Sequence, residues 1–319
     1  GGRLWRSRGL RVVPNRRWPE YTYAYCRACG WFTSVLEGQD VPASCGICAQ
    51  PILGTRGRFV VPIFGFIADR ITETPGEARP QRTFASRVYF SEYAQPKAQD
   101  HALEWVSSLP VDGPVIPRFR YARYGRLSVV NPGPNGRGFL LCERCGFGEP
   151  AAAASQITKS KQQHKHPLTD KPCQGTLRSY HLGHEFLTDV LELRIEVPKK
   201  FLDGVGRWRS LLYALLEGAA RSLGINRDDL DGTLFAYDPG SAPALVLFDN
   251  VPGGAGLCQR IKNELDAVFH AAYSVVTNCV CGAETSCYQC LRNFANQPYH
   301  HELRRNLALD VLQYLTAGG

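Results

Sequence analysis

The pattern of apolar and polar residues changes along the chain and predicts both strands and helices. Over residues 190–197, VLELRIEV, apolar and charged side chains alternate with a period of two, which is typical of a strand with one buried face. Over residues 207–223 the leucines recur at helical spacing, and Gly224 follows as a helix end signal. The apolar run at 244–248 predicts a short buried strand.

Two further helices are predicted near the C-terminus. Apolar residues recur at helical spacing from about Gly256 onward and again over residues 299–315. Earlier in the chain, residues 58–130 hold short apolar runs that Pro and Gly interrupt, which is typical of a small β-rich unit. The segment 151–166 is expected to be a mobile loop. Together these patterns predict an α+β fold.

Length and composition indicate the class of protein. With 319 residues, 44% hydrophobic and 21% charged, the chain can form two or three compact globular units. It contains no long apolar run that could cross a bilayer and no signal-peptide pattern. We therefore expect a soluble, cytoplasmic protein without a membrane partner. Because the chain lacks Met and opens on Gly-Gly, we also expect it to be a portion of a longer polypeptide.

Eleven of the twelve cysteines fall into three groups, and in a reducing compartment such groups favour metal binding over disulfides. The first group consists of two CxxC pairs separated by fifteen residues, which is the spacing of a zinc ribbon. Gly30 and Ala49 follow the two pairs and suit tight turns. The predicted ligands are Cys26, Cys29, Cys45 and Cys48.

The second group begins with a CxxC pair in LLCERCGFG and needs ligands from farther along the chain. His164, His166 and Cys173 are the nearby candidates. We prefer His166 because it leaves the shorter loop to Cys173, which gives a Cys3His site. The predicted ligands are Cys142, Cys145, His166 and Cys173.

The third group, CVCGAETSCYQC, places four cysteines close enough to reach one ion at about 2.3 Å without help from another segment. The second pair, five residues after the first, favours ligation over a redox-active CxxC. An iron–sulfur cluster stays open as an alternative. The predicted ligands are Cys279, Cys281, Cys287 and Cys290. The remaining cysteine, Cys258, is expected to be a small core residue.

Three zinc ions are therefore expected, and each would be structural because its four protein ligands leave no open position for water. The groups divide the chain into four predicted segments. These are an Arg-rich segment with a zinc ribbon (1–57), a β-rich linking unit (58–140), a Cys3His insert (141–180) and an α/β domain with a four-Cys zinc knuckle (181–319).

The formal net charge of +8 favours a polyanionic partner. Arginines alternate with aromatic residues over 118–126, a pattern suited to binding phosphates and stacking unpaired bases. A second basic cluster follows the third cysteine group, and an Arg-rich run lies at residues 3–17. The predicted nucleic-acid contacts are Arg118, Arg120, Tyr121, Arg123, Tyr124, Arg126, Arg292, His300, His301, Arg304 and Arg305. Alternatively, the aromatic residues turn to the core, and Asn296 and His300 cap the last helix or brace the knuckle.

Several segments carry a family resemblance. LVLFDNVPGGAGL, LLEGAARSLGINRDDLDG and CVCGAETSCYQCLRNFANQPYHHELRR together resemble the zinc-binding C-terminal domain of the mitomycin repair factor A (MrfA-like) family. That family comprises superfamily 2 DEAD/DEAH-box helicases, and the domain also occurs in DISARM-type phage-defence components. The resemblance implies that the third cysteine group binds zinc and that the partners are a helicase motor and DNA.

The motor itself is not expected in this chain, because GxxxxGK[ST] and DEAD/DEAH motifs are absent from the sequence. We expect a non-catalytic module that binds single-stranded or junction DNA for a helicase motor in cis or in trans, in DNA repair or phage defence. One alternative is a metal-dependent nuclease that uses Asp249 at the end of a buried strand. However, an Asp before a turn more often binds the N–H groups of that turn. The other alternative is a protein-docking scaffold without DNA contact.

Overall fold

The computed structural model describes residues 18–52, 54–62, 86–93, 115–151, 164–202, 204–235 and 241–316, and the backbone of four two-residue strands. Most of the Arg-rich run at 3–17 and of the loop predicted at 151–166 lies outside the described residues. The strands are β1 (Leu4–Trp5), β2 (Leu10–Arg11), β3 (Glu20–Tyr25), β4 (Phe32–Leu36), β5 (Arg56–Val60), β6 (Thr72–Glu73), β7 (Arg87–Tyr93), β8 (Glu104–Trp105), β9 (Ile116–Asn131), β10 (Phe139–Cys142), β11 (Phe147–Pro150), β12 (His164–Lys165), β13 (Pro172–Cys173), β14 (Leu177–Glu196), β15 (Leu230–Phe235) and β16 (Ala244–Asp249). The helices are α1 (Val205–Leu223), α2 (Leu257–Asn263), α3 (Leu265–Asn278) and α4 (Arg305–Leu315). The predicted α+β fold is confirmed.

The strand β14 is the centre of a 12-stranded sheet. It pairs antiparallel with β9, β10 and β16, and parallel with β5. Strands β3 and β4 follow β5, β11 and β2 follow β10, β7 and β8 pair with β9, and β15 pairs with β16. Each of the four predicted segments contributes strands to this sheet, and the bounds of those segments stay a prediction.

The helices form a layer that buries the largest core. Leu211 of α1, Phe269 of α3 and Leu312 of α4 share this core with Leu193 of β14, and all four are at most 2% exposed. Helices α1 and α3 approach closely at Gly218, where an added Cβ would lie 2.6 Å from the Ala272 backbone nitrogen. A side chain at Gly218 would therefore push the two helices apart.

The predicted elements differ from the structure at three boundaries. The strand predicted at 190–197 is the second part of β14, which begins at Leu177. The helix predicted from about Gly256 is divided at Glu264 into α2 and α3. The last helix begins at Arg305 and not at residue 299. The backbone before Arg305 makes hydrogen bonds to other segments instead of continuing a helix. For example, the Leu303 carbonyl accepts from the Ser286 hydroxyl at 2.8 Å.

No helix in the described part of the chain combines the length and apolar character needed to cross a membrane. The layer of helices and the sheet together position the three cysteine groups. The first group lies at the β3–β4 end of the sheet, the second follows β10, and the third follows α3.

Candidate metal centres

The first cysteine group is built on two short turns, and the first turn joins β3 to β4. The Cys26 N–H donates to the Trp31 carbonyl at 2.7 Å, and the Gly30 N–H donates to the Cys26 carbonyl at 2.9 Å. Gly30 has a φ of 78°, which glycine adopts without steric cost. The turn thus places Cys26 and Cys29 on the same side of the hairpin end.

The second turn repeats this hydrogen-bond pattern. The Cys45 N–H donates to the Gln50 carbonyl at 2.8 Å, and the Ala49 N–H donates to the Cys45 carbonyl at 3.1 Å. Ala49 has a φ of 56°, which is uncommon for a residue with a Cβ. Alanine therefore occupies the position that glycine fills in the first turn, as the sequence pattern predicted for a small residue.

The two turns bring four sulfur atoms together. Cys29 Sγ lies 3.4 Å from Cys45 Sγ, and Cys26 Sγ lies 3.6 Å from Cys48 Sγ. The backbone N–H groups of Ile47 and Cys48 donate to Cys45 Sγ, each at 3.4 Å. Such N–H groups stabilise a thiolate, which is the form that binds metal.

All three groups have the dimensions of a tetrahedral zinc site. Four sulfur ligands at about 2.3 Å from one ion lie about 3.8 Å apart. The hydrogen-bond-range Sγ–Sγ separations in the three groups are between 3.4 and 4.0 Å, and the four ligand atoms of each group lie within 4.8 Å of one another. An iron–sulfur cluster would hold its thiolates farther apart, since irons and sulfides must fit between them. The donor sets therefore fit zinc.

The second group lies where β10 turns into β11. Cys142 ends β10, and the Gly146 N–H donates to its carbonyl at 2.9 Å. His164 and Cys173 face each other in the pair of strands β12 and β13. The His164 Nε2 lies 3.3 Å from Cys145 Sγ, and Cys142 Sγ lies 4.0 Å from Cys173 Sγ.

The preference for His166 as the fourth ligand is corrected by this geometry. His166 opens the turn between β12 and β13, where its N–H donates to the Lys171 carbonyl at 2.8 Å. Its Nδ1 accepts the Leu168 N–H at 3.2 Å. His164 joins the sulfurs instead because it lies directly opposite Cys173 in the strand pair, whereas His166 lies beyond that pair.

Gly175 shows how closely the chain surrounds the second group. Its N–H donates to Cys173 Sγ at 3.3 Å. A Cβ added at Gly175 would lie 2.4 Å from Cys142 Sγ, which is less than any contact these atoms can make. Gly175 therefore belongs to the site, although the sequence analysis did not identify it.

The third group is contained in the loop that follows α3. Cys279 Sγ lies 3.5 Å from both Cys281 Sγ and Cys287 Sγ, and Cys281 Sγ lies 3.8 Å from Cys290 Sγ. The Cys287 N–H donates to Cys290 Sγ at 3.2 Å. A twelve-residue stretch thus brings four sulfurs together without a ligand from another segment, as predicted.

Arg305 ties the loop of the third group to both neighbouring helices. Its guanidinium donates to the Val276 carbonyl in the last turn of α3 at 2.6 Å and to the carbonyls of Cys281 and Gly282. The last carbonyls of a helix lack partners within the helix, so Arg305 satisfies one of them. We predicted that Arg305 contacts nucleic acid, but the structure places its guanidinium on the cysteine loop.

Asn296 and His300 brace the chain after the third group. Asn293 and Asn296 exchange hydrogen bonds, because the N–H of each donates to the side-chain oxygen of the other at 2.8 Å. His300 Nε2 lies 2.8 Å from Asn296 Oδ1. Burial lowers the pKa of His300, which favours a neutral ring. This arrangement corresponds to the bracing alternative of the sequence analysis.

The other members of this basic cluster differ in exposure. Arg292 Nε donates to the Ser286 hydroxyl at 2.9 Å. His301 and Arg304 are exposed, although His301 Nε2 lies 3.5 Å from a carboxylate oxygen of Glu302. Of the predicted cluster, these two side chains are thus the most accessible to a partner.

The alternation of arginine and aromatic residues lies on β9, as expected for a strand. Phe119 and Tyr121 pack against the largest core. Arg118 and Arg120 point to the opposite face, where Arg118 Nε lies 3.4 Å from Glu196 Oε1 and Arg120 pairs in register with Glu192. In this part of β9, the aromatic side chains thus turn towards the core, as the alternative interpretation held.

The middle of β9 is more accessible. Arg123 and Tyr124 are exposed, with Tyr124 at 38%, and the guanidinium of Arg123 lies 5.7 Å from the Tyr124 ring centroid. Arg126 lies 4.0 Å from Glu185. A cation thus lies beside an exposed aromatic ring at Arg123 and Tyr124, and their contact with nucleic acid stays a prediction.

Asp249 ends β16 and is fully buried. Its Oδ2 accepts the N–H groups of Ala255 at 2.6 Å and Leu257 at 3.0 Å, and its Oδ1 accepts the Cys258 N–H at 2.8 Å. The carboxylate is thus used to hold the VPGGAG loop and the start of α2. This geometry does not support the nuclease alternative, which needs Asp249 for a metal ion.

A second buried carboxylate, Asp189, was not identified from the sequence. It lies at the register shift of β14 and is 5% exposed. Burial raises the pKa of Asp189, and the charge of Asp249 adds to this effect, while a hydrogen bond from Tyr121 opposes it. No local pattern marks Asp189, because the β-bulge that buries it depends on pairing with β9.

Comparisons with known proteins agree with the resemblance seen in the sequence. Residues 211–291 match the model of the MrfA Zn-binding domain, a range that contains all four cysteines of the third group. The chain is also similar to Druantia protein DruE of Escherichia coli (strain UMEA 4076-1), with 26% identity over an alignment of 344 residues. That alignment covers 99% of this chain and 18% of DruE, so the chain spans about a fifth of that relative's length.

Among solved structures, the chain is similar to the DUF1998 helicase MrfA bound to DNA, with a TM-score of 0.37 and 15% identity over 73% of this chain and 25% of that one. The same helicase bound to DNA and AMPPNP gives a TM-score of 0.32 and 13% identity over 64% of this chain and 23% of that one. The resemblance to the MrfA-like family is confirmed by the family model, which identifies residues 211–291 as a match to the MrfA Zn-binding domain.

Proposed function

We propose that this chain is a zinc-stabilised module that binds DNA and supports a helicase motor. One observation carries the proposal. The four sulfurs of the third group lie within the range matched to the MrfA Zn-binding domain, at separations that suit one tetrahedral zinc ion. The ligand atoms of the first and second groups lie equally close together, so we propose zinc there as well, which gives three ions per chain.

The role proposed for zinc is structural. Each group offers four protein ligands, which leaves no open position for water or substrate. Zinc in the third group would fix the loop between α3 and α4, and Arg305 would hold that loop against both helices. The metal thus stabilises the fold and positions the residues around it.

DNA is the proposed partner because the chain is strongly basic and exposes cations beside aromatic rings. The formal net charge is +8, and phosphate contacts dominate nucleic-acid affinity. Arg123 and Tyr124 on β9, and His301 and Arg304 after the third group, are exposed. A cation beside an exposed ring favours strands with unpaired bases, so single-stranded or junction DNA is the proposed form.

A superfamily 2 helicase motor, in cis or in trans, is the second proposed partner. This proposal rests on the family resemblance, and DNA repair or phage defence, as in DISARM, is the proposed context within the cytoplasm. Exposed apolar side chains at the third group support a docking role, with Val280 at 94%, Phe294 at 44% and Tyr288 at 42% exposed. Large exposed apolar residues that cluster are typical of interaction sites.

The test measures DNA binding by the zinc-loaded protein. We would measure fluorescence anisotropy of labelled single-stranded, duplex and forked DNA with the zinc-loaded protein at several salt concentrations. The proposal expects binding whose logarithm falls linearly with the logarithm of salt concentration. If the zinc-loaded protein binds none of these DNAs at low salt, DNA binding is excluded and a protein-docking scaffold takes its place.

A further inference from the structure

Two adjoining cavities, with volumes of about 470 and 400 Å³, lie beside the first cysteine group, and the larger one also reaches α1 and the segment that precedes α4. Their common wall consists of Tyr25, Arg27, Arg87 and Tyr89. We propose that these cavities form one binding site for unpaired nucleotides of single-stranded DNA. This inference rests on the proposed function, and it assigns that function to residues that the sequence analysis did not select.

The walls of the site come from distant parts of the chain. Tyr25 ends β3, Arg27 lies between Cys26 and Cys29, and Arg87 begins β7. The opposite wall of the larger cavity is formed by α1 and by the segment that follows the third cysteine group, including Arg209 and Tyr299. The site therefore joins the first cysteine group to the domain that contains the third.

The charge of the site favours phosphate. Arg27 and Arg87 line both cavities, and Arg56 lines the smaller one, whose described lining includes no Asp or Glu. Within the described part of the chain, no ion pair joins Arg27 or Arg87 to a carboxylate. Arg87 hydrogen-bonds to Tyr89, whose neutral phenol leaves the guanidinium charge uncompensated. The charges of Arg27 and Arg87 can thus bind a phosphodiester, for which a guanidinium provides several donors.

Two carboxylates line the larger cavity, and both have partners within the protein. Glu302 forms an ion pair with Arg209, and Asp231 Oδ1 accepts the Gly232 N–H at 2.8 Å. The Arg209–Glu302 pair is neutral as a whole, whereas the hydrogen bond leaves the negative charge of Asp231 in place. In the described lining of the two cavities, four arginines (Arg27, Arg56, Arg87 and Arg209) still outnumber these two carboxylates. The net electrostatic character of the site therefore remains favourable to an anion.

The aromatic residues of the wall are suited to bases. The half-buried rings of Tyr25 and Tyr89 are stacked with centroids 6.0 Å apart, and Tyr89 stacks on Phe32 at 4.4 Å. Across the larger cavity, the guanidinium of Arg209 lies 3.9 Å from the Tyr299 ring centroid. Rings held in place by such neighbours bind a base without losing side-chain freedom, and stacking accepts every base.

The size of the site limits which form of DNA can enter it. Both volumes fall within the roughly 300–1,000 Å³ that ligand sites usually occupy. Such cavities admit individual nucleotides and not a base-paired duplex. Arg123 and Tyr124 of β9 line neither of these two cavities, so the two locations make different predictions.

The first experiment measures binding of a fluorescein-labelled, mixed-sequence single-stranded oligonucleotide to the full, zinc-loaded chain. The test variant is the double substitution Arg27→Ala/Arg87→Ala. The control is Arg58→Ala/Arg178→Ala, which removes the same charge from arginines that are 62% and 64% exposed and lie outside both cavities. We expect the test variant to bind about tenfold more weakly and to lower the salt slope by about 1.4, or about 0.7 for each lost phosphate contact. We expect the control to keep the wild-type slope.

The second experiment tests stacking and does not depend on charge. Tyr25→Phe keeps the aromatic ring. Tyr25→Leu removes the ring but leaves an apolar side chain, as the Phe variant does. We expect the Phe variant to bind the oligonucleotide with wild-type affinity. We expect the Leu variant to bind it at least about fivefold more weakly. Zinc content and thermal unfolding of each variant show whether the first cysteine group is intact.

Cross-linking of the wild-type protein to an oligonucleotide that contains 5-iododeoxyuridine locates the base without a mutation. We expect cross-links in peptides that contain Tyr25 or Tyr89. If the wild type binds the oligonucleotide, but the cavity variants bind like their controls and cross-links map only to other peptides, this inference is overturned while the proposed function stands. If the wild type binds no single-stranded DNA at low salt, both are overturned.

Discussion

Arg305, the first residue of α4, donates a hydrogen bond to the carbonyl of Val276 in the last turn of α3 at 2.6 Å. The same guanidinium contacts the carbonyls of Cys281 and Gly282 in the loop between the two helices. One side chain therefore connects both helices to the third cysteine group. A loop of this length would not fix the arrangement of the helices by itself.

The substitution Arg305→Ala is expected to destabilise the fold and weaken zinc retention by the third group. It removes the donor from two part-buried hydrogen bonds, those to the Val276 and Cys281 carbonyls, which costs about 1–3 kcal/mol. Chemical unfolding and the rate of zinc loss to a chelator measure both effects. Arg304→Ala is the matched control, because Arg304 is the exposed arginine next to Arg305 in the sequence. Equal zinc loss from the two variants would contradict the role assigned to Arg305.

The two histidines near the second group are expected to respond differently to substitution. His164→Ala removes the ring whose Nε2 lies 3.3 Å from Cys145 Sγ, so zinc bound per chain should fall by one equivalent. His166→Ala alters only the turn and should leave the zinc content unchanged. Elemental analysis after dialysis against a weak chelator distinguishes the two variants. A loss of zinc in the His166 variant alone would restore the original prediction.

Asp249→Asn is expected to destabilise the protein by about 1.5–3 kcal/mol, because the charged acceptor of three backbone N–H groups is lost. Urea unfolding measures the change, with the exposed Asp228→Asn as control. A variant with wild-type stability that loses a Mg²⁺-dependent nuclease activity would favour the nuclease alternative instead.

Asp189 is expected to make stability depend on pH. Burial and the charge of Asp249 raise its pKa in the folded state, so the folded chain holds the proton to a higher pH than the unfolded chain does. The contribution of protonated Asp189 is fully present below its unfolded pKa and is lost as pH rises through the folded pKa. Asp189→Asn should therefore gain stability relative to the wild type as the pH rises from the ordinary carboxyl pKa of 3.8 through the raised pKa of the folded state. A difference in unfolding free energy between this variant and the wild type that does not change with pH would contradict this assignment.

The cysteine groups could be predicted because a CxxC turn is local. Cys26 and Cys29, or Cys287 and Cys290, are positioned by hydrogen bonds within a few residues of each pair. The choice between His164 and His166 was not predictable in this way. It depends on which residue lies opposite Cys173 in a two-residue strand pair, and loop length carries no information about that register.

Contacts over long sequence distances also escaped prediction. Arg305 belongs to a basic cluster in the sequence, but its guanidinium is used by carbonyls 23 and 24 residues earlier. On β9, the alternation correctly predicted a strand, while packing against the largest core, built from distant segments, decided that Phe119 and Tyr121 face inward. Asp249 was the exception, because the turn that binds its carboxylate follows it directly in the sequence.

The measurement that tests this account most directly is the metal content of the purified, folded protein, by elemental analysis combined with native mass spectrometry. The account predicts three zinc ions per chain and cooperative loss of structure when a strong chelator removes them. A protein that stays folded and keeps its thermal stability without zinc, or that carries iron and sulfide in its place, would contradict the account.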